Sequence, residues 1–149
     1  MKTRIFLGAL LFLGLLWNIA SGQTRTGDEI VGTWTMETGE SKIRVYKQNG
    51  AFFGKMVWSK DMYEADGKTS RKDINNANVN LRDRFLKDLT ILEHFRFDKD
   101  EWSDGRIYDI KSGKTYSCTI KLKNPDVMLV RGYIGISLLG KTVSFNRVK

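Results

Sequence analysis

The sequence predicts an all-β fold: a single eight-stranded antiparallel up-and-down barrel, with one long loop that carries a short helix. Three observations predict it. Apolar and polar residues alternate with period two in short runs. Tight-turn signals separate most of those runs, and Asn49-Gly50 is the plainest of them. The chain beyond its N-terminal apolar segment is long enough for one core and one domain. Eight short strands with tight turns favour a closed barrel, which leaves no exposed edge; a two-sheet sandwich is the alternative.

The first element is an export signal. Lys2 and Arg4 form a basic start, and residues 5–19 are an uncharged, mostly apolar run. Ala20-Ser21-Gly22 then places small residues at −3 and −1 of a cut before Gln23. The run is short for a spanning helix, which wants about 20 apolar residues. The expectation is therefore residues 1–22 as signal peptide, residues 23–149 as one domain, and a periplasmic or secreted location with no further membrane span. Without Lys2 and Arg4, 23 basic residues face 17 acidic ones, a net charge of +6. That balance suits anionic surfaces. The basic residues are scattered, however, and export argues against a nucleic-acid partner. Cys118 is the single cysteine, so no internal disulfide forms; its place on an apolar strand face marks a buried thiol.

The strands can be read in order. Residues 31–36 and 42–48 come first, and 51–58 returns from the Asn49-Gly50 turn. The segment 59–88 breaks the short-turn pattern, being long and rich in charge and Asn. Asn76 is expected to cap a brief helix through Val79, Leu81, Phe85 and Leu86, making a flap over one barrel mouth. Residues 89–97 form the next strand, ending at a polar turn, 98–101. Residues 105–110 pair with 115–122, where Tyr116, Cys118, Ile120 and Leu122 alternate with polar neighbours. Asn124-Pro125-Asp126 turns the chain, and 127–133 and 141–148 complete the eight.

Closing the barrel brings the first and last strands together. Arg147 shares a face with Val143 and Phe145, so it is placed to stack over Trp34, a cation–π contact of about 0.5–2 kcal/mol. Gly32-Thr33-Trp34 with a late basic residue resembles the start and end of the lipocalin and fatty-acid-binding (calycin) barrels. The role implied for Trp34 and Arg147 is a structural clasp.

A second resemblance covers nearly the whole exported part. Its pieces include Ile43-Arg44-Val45-Tyr46, Gly54-Lys55-Met56-Val57-Trp58, Leu81-Arg82-Asp83-Arg84, Gly105-Arg106-Ile107-Tyr108-Asp109, Val130-Arg131-Gly132-Tyr133 and Ser137-Leu138-Leu139-Gly140-Lys141. As a set they resemble a bacterial exported domain-of-unknown-function family with a lipocalin-like barrel. The resemblance implies a fold and a compartment, and no activity. Ala77 departs from it, standing where members often have proline.

Two side-chain sets are candidates for ligand binding. Trp58, Tyr108 and Tyr116 are aromatics that either line a cavity or fill a core. Arg82, Arg84 and Arg131 offer forks that suit a carboxylate or phosphate; the alternative is that they pair with Asp73, Asp83, Asp88 or Asp109. Together they suggest a small amphipathic, acidic ligand. Catalysis has little to rest on. His94 is the only histidine, no nucleophile motif occurs, and no metal or cofactor site is indicated. The reading is a non-catalytic binding protein. The alternative is a cell-envelope interaction protein with a filled barrel, working through its outer face or the 59–88 loop.

Overall fold

The computed structural model describes residues 25–149. The expected signal peptide and its cut before Gln23 lie outside the described residues. Eight strands form one closed antiparallel barrel in chain order: β1 (Gly32–Met36), β2 (Ser41–Gln48), β3 (Ala51–Ser59), β4 (Thr90–Asp98), β5 (Glu101–Asp109), β6 (Lys114–Asn124), β7 (Val127–Tyr133) and β8 (Lys141–Arg147). The only helical pieces among the described residues are 3-10 turns at Asp28–Ile30, Val79–Leu81 and Ser137–Leu139.

Local chemistry sets the hairpins. Asn49 and Gly50 both adopt positive φ, 50° and 75°, as the sharp β2–β3 turn requires. β5 begins at Glu101, four residues before the expected start, because the β4–β5 turn is tighter than the polar run suggested. The register between β5 and β6 shifts between Trp102 and Gly105, with Asp104 at φ 59°. This bulge lets Trp102 and Gly105 both be buried. A side chain at Gly105 would strike the Phe95 ring at 2.3 Å, so the glycine makes room for Phe95 inside the barrel.

The two ends of the barrel differ. The turns β2–β3, β4–β5 and β6–β7, with residues 25–31, close one end. Trp34, Phe52, Phe95 and Trp102 fill that half and are almost fully buried. The Trp34 indole N–H donates to the Ile30 carbonyl at 2.8 Å, and Trp102 donates to Gly27 at 3.0 Å. Burying these indoles with their donors satisfied is what makes a solid plug. β1 pairs with β8, with Trp34 opposite Arg147. The Arg147 guanidinium lies 4.1 Å from the Trp34 ring centroid. It also donates to the carbonyls of Pro125 at 2.9 Å, Val31 at 3.2 Å and Glu29 at 2.5 Å. The other end, carrying the turns β1–β2, β3–β4, β5–β6 and β7–β8, is open.

Candidate functional site

The open half of the barrel holds a cavity of about 780 Å³. Its apolar wall includes Met56, Ile91, Ile107, Val130, Val143 and Phe145, supplied by β3, β4, β5, β7 and β8. Strand alternation turns these residues inward, except Ile91, the extra residue of a β3–β4 bulge beside inward-facing Leu92; Lys141 and Arg131, at the other parity or at strand ends, meet solvent. The rim carries both signs, with Glu37, Asp61 and Asp109 beside Lys60, Lys111 and Lys141. Lys60 is ion-paired to Glu40.

The expected aromatic set divides. Tyr116 lines the cavity opposite Ile107, whereas Tyr108, one residue beyond Ile107 on β5, turns its ring to the outer face, where the β3–β4 loop covers it. The Tyr116 hydroxyl has one distant neighbour, Ser112 Oγ at 3.5 Å, and so keeps hydrogen-bonding capacity for a guest. Trp58 lies on the outer face and is 37% exposed. The cause is a bulge: Lys42 faces Trp58 but Ile43 faces Met56, leaving Val57 as an extra residue on β3. One extra residue inverts the alternation, sending Trp58 out and bringing Ser59 in. Period-two counting along β3 cannot register that inversion.

The arginines are held by the protein itself. Arg84 donates through Nε and Nη2 to Asp73 Oδ2, both at 2.9 Å, and lies 5.1 Å from the Tyr108 ring centroid. Arg82 Nε donates to the Asn76 carbonyl at 2.8 Å. The carboxylate of Asp73 is fully buried. Its Oδ1 accepts from the Tyr108 hydroxyl at 2.6 Å, and its Oδ2 also accepts from Asn76 Nδ2 at 2.9 Å. Burial first, then the Asp73 carboxylate, raises the Tyr108 phenol above its ordinary pKa. Asn76 is therefore part of this network; Asn78 is the residue that caps the 3-10 turn Val79–Leu81, and the expected longer helix is absent. Arg131 points outward from β7. Its three nitrogens donate to the Ser137 carbonyl at 2.6 Å, the Leu138 carbonyl at 3.1 Å and Thr142 Oγ1 at 2.8 Å. It is thus separate from the Asp73 cluster and from the cavity. The sequence signal for that role was Ser137-Leu138-Leu139-Gly140, a turn within reach of it.

The long β3–β4 connection is a flank and not a roof. Of its residues only Lys60 and Asp61 line the main cavity. The rest packs beside the β5–β6 turn, pinned by Asp73 on Tyr108 and by Asn75 Nδ2 donating to the Ile110 carbonyl at 3.1 Å. A second recess of about 560 Å³ lies between loop and turn, bounded by Arg71, Ile74, Phe85 and Ile110. Met62, fully buried, anchors the loop's start. His94 sits on the outer face against Phe53, ring centroids 5.0 Å apart. Among the described residues no group of three metal-ligating side chains occurs, and no helix is long and apolar enough to cross a membrane.

Comparison with known proteins agrees with this architecture. Among solved structures, the chain is similar to protein HP1028 from the human pathogen Helicobacter pylori, described as belonging to the lipocalin family. The two share 22% identity over 80% of this chain and 83% of that one, with a TM-score of 0.69. Likeness at that identity speaks to the fold. No curated protein matches. A family model described as "Uncharacterized protein conserved in bacteria (DUF2147)" matches residues 32–147, the whole barrel from β1 to β8. The chain belongs to that bacterial family, and its barrel is lipocalin-like.

Proposed function

We propose that the protein is a non-catalytic binding protein for a small amphipathic molecule, held in the open half of the barrel and acting in the periplasm or outside the cell. The cavity carries this reading. Its volume falls in the range of small-molecule sites, about 300–1,000 Å³, and an apolar wall with a polar rim suits a guest with an apolar body and a polar head. Tyr116 offers a hydroxyl at the boundary between the two. An acidic head has less support than the sequence suggested, because Arg82, Arg84 and Arg131 are engaged within the protein and the rim has both signs. The guest is therefore defined by its amphipathic character and not by its charge.

The test is occupancy of the wall. Native mass spectrometry after mild purification is expected to reveal a co-purifying small molecule. A fluorescent apolar probe is expected to bind in the mouth. Val143→Trp fills the cavity from β8. It should weaken the probe about tenfold or more while leaving the urea midpoint nearly unchanged, since a hollow accepts the added ring that a packed core would reject. Undiminished probe binding in Val143→Trp would remove the cavity from consideration.

A further inference from the structure

Four large aliphatic side chains stand in solvent on one short loop. Ile134 is 73% exposed, Ile136 59%, Leu138 83% and Leu139 80%, all within the β7–β8 connection at the open end. We propose that this loop docks the protein on an anionic phospholipid surface by inserting its aliphatic tip among the lipids. Such docking is independent of whether the cavity holds a ligand.

The loop is built to hold these side chains outward. The Ser137–Leu139 turn is fixed by Arg131, which donates to the Ser137 and Leu138 carbonyls at 2.6 and 3.1 Å. The Leu139 and Gly140 amides donate to the Ile136 and Ser137 carbonyls, both at 3.2 Å. The turn therefore satisfies several of its backbone polar groups internally while its apolar side chains face away.

Charge supplies the second argument. Beyond Asp109 the chain has a single acidic residue, Asp126, and it lies in the β6–β7 turn at the closed end. Around the loop stand Lys114 at the start of β6, Arg131 on β7 and Lys141 at the start of β8. The rim's acids stand further from the loop, Asp109 across from Lys114 on β5 and Glu37 beside Ser144 lower on β8, so the positive charge belongs to the loop's immediate flanks. An aliphatic tip between these cations matches the two attractions of an anionic lipid interface, apolar burial and headgroup charge.

The test uses vesicles of phosphatidylglycerol and phosphatidylcholine, with pure phosphatidylcholine for comparison. Cys118 is buried, so Leu138→Cys takes a nitrobenzoxadiazole label selectively; Gln48→Cys carries the same label at the closed end. The label at 138 is expected to brighten and shift to the blue with the anionic vesicles, and the label at 48 to stay unchanged. Replacing Leu138 and Leu139 together by Asp is expected to lower vesicle partitioning about tenfold or more. Parent and variants share one N-terminus, so the difference reports the loop. No change at 138, equal change at both labels, or undiminished partitioning of the double variant would each overturn the proposal. So would a concentration-dependent change at 138 without lipid, with a doubled mass in light scattering, which would make a second copy of the chain the occupant.

Discussion

Asp73 is the residue on which the long loop depends. A fully buried carboxylate is tolerable only when paired, and Arg84, Tyr108 and Asn76 share the task. Asp73→Ala is expected to cost about 3 kcal/mol, at the low end for a broken buried pair because Arg84 can reach solvent. Urea unfolding measures it, and Tyr108→Phe in the Asp73→Ala background should add little, since the hydroxyl has already lost its acceptor. A second prediction concerns alkaline pH. Burial pushes the Cys118 thiol up from 9.0 to about 12. The unfolded chain releases that proton near pH 9 while the folded chain keeps it. Stability present below pH 9 is therefore lost as pH rises toward 12. Cys118→Ala is expected to flatten the fall of the urea midpoint over that interval. Parallel slopes for parent and variant would contradict it. At this scale the sequence is partly legible. The buried thiol comes from alternation in β6, and an Arg–Asp pairing is foreseeable as a type. That Asp73, and not Asp83, Asp88 or Asp109, holds Arg84 depends on how the loop folds back, which no local pattern encodes.

Elements are most legible where spacing is regular and least where one residue is inserted. For β2, β3, β6 and β7 the expected bounds come within about two residues of the observed ones, because alternation and turn residues agree. The single extra residue at Val57 moves Trp58 to the outer face, and with it the aromatic set loses a member. The β5–β6 turn shows how an element can be set by a distant contact. Gly113 has φ 68°, and a Cβ there would lie 1.7 Å from the Asn75 carbonyl oxygen. Gly113→Ala therefore meets both a disfavoured backbone and a clash that no rotamer relieves. It is expected to destabilise by about 2 kcal/mol or more, and to lift the Asn75 segment of the loop from the turn. Hydrogen exchange at residues 70–76 should accelerate more than exchange in β6–β8. Uniform acceleration would mean that the loop and barrel are not separable in this way.

For the molecule as a whole, closure is the decisive event, and it is carried by contacts between the two ends of the described chain. Trp34 and Arg147 meet across nearly the full sequence, and Arg147 ties together the N-terminal segment, the β6–β7 turn and β1. Lysine keeps the charge but not the fork, so Arg147→Lys is expected to lose about 1–3 kcal/mol and several degrees of melting temperature. Thermal unfolding checks this; an unchanged midpoint would show that the stacked ring, and not the carbonyl ties, closes the barrel. The fold is legible from sequence because eight strands and a G-x-W start are global regularities. The division into a solid half and a hollow half is not. It arises from where Phe95, Trp102 and Phe52 crowd together, which depends on bulges and on register across strands distant in the chain.

The pairing of β1 with β8 also settles where the ends of the described chain emerge. Residues 25–31 and Val148–Lys149 both leave from the plugged end, on the far side of the barrel from the mouth and the aliphatic loop, roughly 20 Å away for strands of this length and tilt. A molecule immobilised on a sensor through its C-terminus thus presents its working face to the solution without obstruction. Because the two ends are neighbours, a short linker can join them and new ends can be cut at Asn49-Gly50, giving a permuted barrel in which the β1–β8 pair becomes a local hairpin and the closing pair is β2 with β3.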